Sequence, residues 1–381
     1  MQLPERFARG QFSLPKLLRS LGGKRECGLD EVLGSFCRDN QLDVAELNID
    51  LKKFIAGKKV VAVSPIGCFR AVPVYNPDMV RRQESDPPTY GREGDGMLHH
   101  SPAIAELVVP AILWSVDSRF VPATLACEFY FVQGWVYALV LQENCGGVTL
   151  QSFQFDRGYR SNMAEYARIM DGIVLQCLAA LAVYQREANF VHCDLHTKNV
   201  VLRTAKGDRE FSVRFGETVK RFHVDRDVPE VHFVDFEFSC ATWHLPGMAT
   251  EATTYSVIGY HKTLALAHDN SYDCFRLLTS LANCDLDAVY SGPMCDNGVC
   301  HYSSFLEALV KTACAPGSPY EDNWHSNMHK KKVVREHRDW PIHNANLMCF
   351  PLTPTRCLAR VDAFASFSSE VSTETRTPEE N

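Results

Sequence analysis

The sequence predicts an α+β protein with a bilobal arrangement, a strand-rich N-terminal lobe followed by a helical C-terminal lobe. Runs of β-branched and aromatic residues recur between residues 60 and 141, which is typical of strands. A polar stretch with two glycines, 142–147, ends this region. Apolar residues then recur at intervals of three and four, the spacing of an amphipathic helix. We therefore expect lobes over residues 30–145 and 146–362, an N-terminal extension over 1–29 and a disordered tail over 363–381.

Composition limits the classes of partner that we expect. The chain has 381 residues, of which 46% are hydrophobic, and a net charge of -7. This length can bury a sizeable core, and an acidic balance does not indicate a nucleic-acid surface. No apolar run reaches the roughly 20 residues of a membrane span. The basic, interrupted N-terminus has no secretory signal pattern. We expect a monomer that binds neither nucleic acid nor membrane.

Cysteine usage points to a compartment. The chain has 15 cysteines, scattered through apolar segments without a Cys-x-x-Cys pair. This pattern favours reduced, buried thiols over a disulfide framework, so we expect a cytoplasmic protein. The basic run Lys330-Lys331-Lys332 leaves a nuclear location open, although a solvated charged face is the simpler interpretation.

Local patterns predict the elements of each lobe. In the first lobe we expect two strands (60–63 and 69–75) joined by a turn at 65–67, a mobile loop (76–96) and a helix (101–116) that tolerates Pro110. An antiparallel pair of strands (120–131 and 135–141) then turns at Gln133-Gly134. In the second lobe we expect a long helix (163–189), three short strands (200–203, 211–215 and 221–224) and a strand that contains Asp235 (232–237). Two further helices (272–282 and 302–312) are expected after it.

The segment around Asp194 carries the strongest chemical signal. Asp194 precedes Asn199 by five positions, and Asp235 follows in an apolar segment. Transfer of a phosphoryl group needs a carboxylate that orients the attacking hydroxyl and oxygen ligands that hold Mg²⁺ near the phosphates. A loop aspartate that only caps a turn is the simpler alternative. The histidine two positions before Asp194, the asparagine after it and the apolar strand that follows favour the catalytic interpretation.

These residues resemble two motifs of the protein-kinase-like superfamily. The catalytic loop of that superfamily reads His-x-Asp-Leu-x-x-x-Asn, and its metal loop reads Asp-Phe-Gly. The positions that match are His192, Asp194, Leu195, Asn199, Asp235 and Phe236. The resemblance covers roughly residues 30–315, and only these two loops are specific.

The resemblance implies a role for each site residue and the cofactors ATP and Mg²⁺. Asp194 would accept the proton of the hydroxyl, Asn199 and Asp235 would hold metal, and His192 would brace the two loops. In the nucleotide site, Glu106 would be the ion-pairing glutamate of the small-lobe helix. The stretch 142–145 would contact adenine, with Glu143 and Cys145 as binding residues.

Departures from the motifs leave parts of the site open. Cys193 replaces an arginine, so control through a phosphorylated loop is not expected, and Glu237 replaces the loop glycine. The Gly-rich loop is reduced to the candidate 33–36, with one glycine. The strand lysine that holds the nucleotide phosphates is missing, and its substitutes are Lys58, Lys59 and Arg70.

The acceptor is the least defined part of the reaction. The segment Tyr272–Leu281 resembles the large-lobe helix whose aspartate braces the catalytic loop, and the whole set is similar to serine/threonine kinases of large cytoplasmic DNA viruses such as iridoviruses. This implies a protein substrate with Ser/Thr hydroxyls. Lys198, four positions after Asp194, is instead placed as in tyrosine kinases. Asp-Phe-Glu and His196 also resemble small-molecule kinases of the aminoglycoside and choline type, and the missing lysine leaves a scaffolding pseudokinase open.

Overall fold

The computed structural model combines helices and strands, and it describes only part of the chain. The described residues are 29–43, 45, 59–75, 102–132, 134–155, 162–215, 218–244, 252–255, 273–274, 277, 280–281, 354–360 and 367–372. The predicted loop 76–96, the predicted helix 302–312 and the basic run 330–332 lie outside them. The chain divides into two units, each built from separate segments. Unit 1 comprises Met1–Gly146, Ala188–His192 and Val234–Ala265, and unit 2 comprises Gly147–Glu187, Cys193–Phe233 and Leu266–Asn381.

A four-stranded antiparallel sheet forms the framework of unit 1. Its strands are β1 (Val60–Ser64), β2 (Gly67–Tyr75), β3 (Thr124–Val132) and β4 (Trp135–Gln142), in the order β1-β2-β4-β3. The predicted strands and the predicted hairpin are therefore confirmed. Gly134 makes the tight turn of the hairpin possible because its φ of 77° is one that glycine adopts without steric cost.

The start of β3 was predicted too early. Residues Ser118–Phe120 form a turn of 3-10 helix instead of the first residues of a strand. The side chain of Asp117 accepts a hydrogen bond from the backbone N–H of Arg119 and caps this turn. The local side-chain bond outweighs the strand preference of Phe120.

Helix α1 (Leu29–Asp39) corrects the prediction of a Gly-rich loop at 33–36. A lone glycine such as Gly34 costs a helix only about 1 kcal/mol relative to alanine. The apolar residues of α1 fall on one side, so burying them outweighs that cost. They pack against side chains of the sheet in one hydrophobic cluster: Val32, Leu33, Phe36, Cys37, Phe69, Ala71, Tyr130, Val132, Tyr137, Leu139 and Leu141.

Helix α2 (Pro102–Val116) confirms the predicted helix, with Pro110 inside it. Its apolar residues are buried on several sides, as in a core helix: Ala105, Leu107, Val108, Val109, Ile112 and Leu113. Glu106 is the charged residue of this helix, and only 3% of it is exposed. Such a carboxylate needs nearby cations.

Unit 2 contains helices α3 (Leu150–Phe155) and α4 (Met163–Ala188), and α4 confirms the predicted long helix. Within α4, Glu165–Ala188 is long and apolar enough to cross a membrane by length and composition, but most of this segment is buried inside the protein. The core helix of a globular protein has the same length and composition. Beside the helices, β5 (Val148–Thr149), β6 (Val200–Arg203) and β9 (Glu230–Phe233) form an antiparallel sheet in the order β5-β6-β9.

A second three-stranded sheet of unit 2 corrects the predicted tail. Strands β7 (Arg209–Phe215) and β8 (Thr218–Val224) confirm two of the predicted short strands and form a hairpin between Asn199 and Asp235. Residues 368–372, predicted to be disordered, form strand β12 (Ser368–Ser372), which pairs with β8. Backbone hydrogen bonds hold this polar strand, and the adjacent Phe367 is buried. The short helix α5 (Pro354–Arg360) precedes it.

The segment after β9 corrects a further prediction. Asp235 lies beyond the end of β9 at Phe233, not within a strand. Its φ of 69° is incompatible with a strand. The chain continues into a two-stranded antiparallel pair in unit 1, β10 (Ala241–His244) and β11 (Ala252–Tyr255).

Several thiols are buried, as predicted. Cys37, Cys177, Cys240 and Cys357 are buried in the described residues. Burial raises the pKa of the Cys240 thiol to about 11 and also raises the pKa of Cys177. The thiols of Cys177 and Cys240 are therefore protonated near neutral pH and unsuited to metal binding or nucleophilic chemistry.

Candidate functional site

In unit 1, His192 braces the Asp235 loop as predicted. Its Nε2 lies 3.1 Å from the carbonyl oxygen of Val234, which can only accept, so Nε2 carries the proton. The ring is fully buried, with its centroid 5.2 Å from that of Phe236. His192 is therefore a positioning residue for Asp235, the next residue after Val234.

The chain on the far side of Asp235 folds back onto the same segment. Val191 and Cys240 exchange two backbone hydrogen bonds of 2.9 and 2.8 Å. The hydroxyl of Ser239 donates to the carbonyl oxygen of His192 at 3.1 Å. The Asp235 loop is thus fixed on both sides to residues 191–192.

Asp235 itself has a strained backbone. Its φ is 69°, and Cys193, immediately before Asp194, has a φ of 65°. Non-glycine residues pay a steric cost in this region unless their surroundings enforce it, and such residues concentrate at functional sites. Both candidate loops carry this feature.

Lys59, Arg70, Glu106 and Asp235 form one ion-pair cluster in unit 1. The Lys59 Nζ lies 3.0 Å from Glu106 Oε1 and 3.1 Å from Asp235 Oδ1. Arg70 forms an ion pair with the same Glu106 oxygen. Two of the three substitutes for the missing lysine therefore reach Glu106, and the third, Lys58, lies outside the described residues.

The cluster leaves polar atoms without protein partners. Glu106 Oε2 and Arg70 Nε are buried and have no hydrogen-bond partner in the described structure. A buried polar atom without a partner costs about 1–3 kcal/mol. The described protein groups around the cluster therefore do not fill the hydrogen-bonding capacity of Glu106 and Arg70.

Glu237 belongs to the same cluster and was not predicted as a site residue. One carboxylate oxygen each from Glu106, Asp235 and Glu237 lie within 4.8 Å of one another, close enough to share a cation. Oxygen donors of this kind suit a hard ion such as Mg²⁺. The signal in the sequence was the acidic residue two positions after Asp235, which we interpreted as a departure from the motif and not as a ligand.

The predicted adenine-contacting stretch also lies in unit 1. The backbone N–H of Glu143 donates to the carbonyl oxygen of Ala123 at 2.8 Å, so this amide is already used. The side chain of Asn144 donates to the carbonyl oxygen of Ser64 at 2.7 Å, which ties the stretch to the end of β1. Cys145 is buried.

The sheet presents exposed apolar side chains on the face that carries Arg70. Val61 pairs with Arg70, and Val63 pairs with Cys68, across β1 and β2. Cross-strand partners in an antiparallel pair project from the same face. Val61 is 51% exposed and Val63 is 59% exposed. An apolar surface therefore borders the cation cluster.

In unit 2, the loop from Asp194 to Asn199 is closed by its own side chains. The amide nitrogen of Asn199 donates to the carbonyl oxygen of Asp194 at 3.0 Å. This bond fixes the orientation of the Asn199 amide, and its oxygen Oδ1 is the atom suited to bind a cation. His196 Nε2 lies 3.5 Å from Asp194 Oδ2. Lys198 has an exposed side chain.

Three bonds from neighbouring segments hold this loop. The backbone N–H of Cys193 donates to Asp273 Oδ1 at 3.0 Å, so the predicted brace from Asp273 is confirmed. The N–H of Thr197 donates to the Ser280 hydroxyl at 3.1 Å. The carbonyl oxygen of Thr197 accepts from the N–H of Gln151 at 3.0 Å. The loop backbone is therefore held independently of the side chain of Asp194.

The predicted site residues are divided between the two units. Unit 1 brings His192, Glu106 and Asp235 into contact networks and also holds Glu143 and Cys145. Unit 2 holds Asp194, Lys198 and Asn199 on one loop. Each unit thus supplies an oxygen donor suited to Mg²⁺, Asp235 in the first and Asn199 in the second.

No protein-family model and no curated protein matches the chain. Among solved structures, "WaaP in complex with acyl carrier protein" matches with a TM-score of 0.33 and 10% sequence identity. The match covers 75% of this chain and 87% of that chain. A likeness this weak supports no conclusion about function.

Proposed function

We propose that the chain is an ATP- and Mg²⁺-dependent phosphotransferase with a bilobal, protein-kinase-like fold. The observation that carries the proposal is the contact of Lys59 with both Glu106 and Asp235. Lys59 and Asp235 are 176 positions apart in the chain, and Glu106 comes from a third segment. A phosphotransferase needs a cation that positions the phosphates of a nucleoside triphosphate. Lys59 is placed for this task because it lies between the buried Glu106 and Asp235, the proposed metal ligand.

Asp235 in unit 1 and Asn199 in unit 2 are each assigned as an oxygen donor suited to Mg²⁺. Asp235 offers a carboxylate on a loop fixed by His192, and Asn199 offers Oδ1 because its nitrogen is bonded to Asp194. Mg²⁺ prefers a few protein oxygens together with phosphates and water. When bound, it neutralises charge on the phosphates of the nucleotide.

Asp194 is assigned as the base. The acceptor hydroxyl gives its proton to a carboxylate oxygen of Asp194, and the hydroxyl oxygen forms a bond to the γ-phosphorus. The bond from that phosphorus to the bridging oxygen breaks, and ADP leaves with the electron pair. The braces from Asp273 and Asn199 support this role because they hold the loop backbone at Cys193 and Asp194 in a fixed position.

The nucleotide base is assigned to the surface beside the cation cluster. Val61 and Val63 supply exposed apolar area on the face of Arg70, and a purine needs such a surface for stacking. The stretch 142–145 is tied to β1 through Asn144. Since the N–H of Glu143 is already bonded to Ala123, other groups of this stretch would contact the base.

For the acceptor, we propose Ser/Thr hydroxyls of a protein. A small-molecule alcohol is the second candidate, and two observations favour it. Glu237 lies in the carboxylate group with Asp235, and His196 lies beside Asp194. Both residues belong to the motif form that resembles aminoglycoside and choline kinases.

Transfer of label separates these candidates. The full chain is incubated with γ-labelled ATP, Mg²⁺ and a panel of proteins and small alcohols, alongside Asp194→Asn as the matched control. Label on protein that is lost in the control supports the first candidate, and label on an alcohol supports the second. Nucleotide binding without transfer to any acceptor would overturn the enzymatic proposal in favour of a scaffold.

A further inference from the structure

We propose that Lys59 is the mobile cation of the site. It neutralises Asp235 until a divalent cation binds that carboxylate, and it then turns to the nucleotide phosphates, while Arg70 stays on Glu106. This inference rests on the proposed function. It assigns different tasks to two residues that the sequence left as alternatives.

The position of Lys59 supports the first step. Its ammonium lies between two carboxylates, 3.0 Å from Glu106 Oε1 and 3.1 Å from Asp235 Oδ1. A metal ion at Asp235 needs this same carboxylate. Because two cations beside one oxygen repel each other, binding of a metal and retention of Lys59 oppose each other. Lys59 therefore competes with the metal ion for the Asp235 carboxylate.

The chemistry and exposure of the two side chains support the division of tasks. Lys59 has 27% of its side chain exposed and carries a point charge on a flexible stem, so it can turn without breaking a fixed geometry. The side chain of Arg70 is only 11% exposed and pairs with Glu106, whose side chain is 2% exposed. Removing the partner of a buried charge is costly, so Arg70 is held in place.

The charges of the cluster support the second step. Three carboxylates, Glu106, Asp235 and Glu237, meet two cations. When a divalent ion joins Asp235, the carboxylates no longer need both cations, and Lys59 becomes available for an anionic ligand. The nucleotide phosphates supply that anion under the proposed function.

Binding of Mn²⁺ without nucleotide tests the first step directly. Free Mn²⁺ is measured by electron paramagnetic resonance during titration of the full-length protein. We expect Lys59→Met to bind Mn²⁺ about fivefold more tightly than wild type, the upper end of what one partly exposed ion pair contributes. Lys59→Arg keeps the charge and should stay near wild type. Arg119→Ala removes an equal charge from an exposed ion pair of unit 1 and should also stay near wild type.

A second variant locates the effect. Adding Asp235→Asn to Lys59→Met should abolish the gain. The exposed group of Asp208, His223 and Asp225 is the other set of described residues that could hold a metal, so a gain that survives Asp235→Asn would lie elsewhere and overturn the proposal. Unchanged or weaker Mn²⁺ binding by Lys59→Met would also overturn it. These outcomes do not depend on turnover, so they are distinct from failure of the proposed phosphotransfer.

The nucleotide arm tests the second step. With saturating Mg²⁺, Lys59→Met should weaken ATP binding by about tenfold, the value of one lost contact of about 1.4 kcal/mol, measured by calorimetry. Its affinity for adenosine, which has no phosphates, should be unchanged. Equal losses for ATP and adenosine would show a disturbed fold and overturn the assignment of Lys59 to the phosphates.

Discussion

The Nε2 of His192 lies 3.1 Å from the carbonyl oxygen of Val234. This bond joins the residue two positions before Asp194 to the residue immediately before Asp235. Both partners belong to unit 1, and the imidazole is fully buried. The buried imidazole of His192 can fix the start of the Asp235 loop through packing and this hydrogen bond, without taking part in the reaction.

Replacing His192 should therefore affect stability before chemistry. His192→Ala removes the donor of a half-buried hydrogen bond to the Val234 carbonyl oxygen and leaves a cavity, so we expect a loss of about 2–4 kcal/mol in the free energy of unfolding. Denaturant unfolding measures this loss. His223→Ala, at a side chain that is 43% exposed, is the matched control and should change stability by less than about 1 kcal/mol. Equal effects of the two variants would contradict the bracing role.

The brace from Asp273 gives a second prediction. Asp273→Ala leaves the N–H of Cys193 without its acceptor, at a cost of about 1–3 kcal/mol. Asp273→Asn keeps an oxygen acceptor and should recover part of this loss. Both variants are compared by thermal unfolding and by turnover. A silent Asp273→Ala in both measurements would show that the loop is held without this bond.

Removing the metal-binding carboxylate gives a third prediction. Mg-ATP should raise the unfolding temperature of wild type and should fail to do so for Asp235→Ala, because the phosphates lose their bridging cation. Asp30→Ala, an exposed residue of α1, is the control. An unchanged shift in Asp235→Ala would mean that Asp235 is structural.

A half-buried carboxyl group in helix α4 predicts a pH dependence. Burial raises the pKa of Asp171 from 3.8 to about 7. The folded protein keeps this proton over a range where the unfolded chain has released it, so the stabilising effect is full below pH 3.8 and is lost as the pH rises through about 7. Asp171→Asn should therefore increase stability more at pH 8 than at pH 5. Urea unfolding at both pH values measures the difference, and equal effects would contradict it.

Elements with a strong local pattern were predictable from sequence. Runs of β-branched and aromatic residues located β1 and β2, and apolar spacing at three and four located α4. The hairpin at Gly134 followed from turn chemistry. The contacts of His192 and Asp273 with the two loops were expected from the resemblance, and each is observed as one hydrogen bond.

Features that depend on distant contacts were not predictable. Gly34 lies in a helix because the apolar stripe of α1 meets a sheet whose face no local pattern reveals. Strand β12 has a polar sequence and is held by backbone bonds to β8, which composition does not encode. The choice between Lys59 and Arg70 as partner of Glu106 required the register of β1 against β2, and the structure brings both to it.

The central claim is that Asp194 is the base of a phosphoryl transfer, and the rate of label transfer from ATP tests it most directly. Asp194→Asn keeps the size of the side chain and the backbone bonds of the loop but cannot accept the proton. We predict a fall in kcat of roughly 10²–10⁴-fold with binding of Mg-ATP retained. Turnover within about threefold of wild type, far short of the general-base range, would contradict the account.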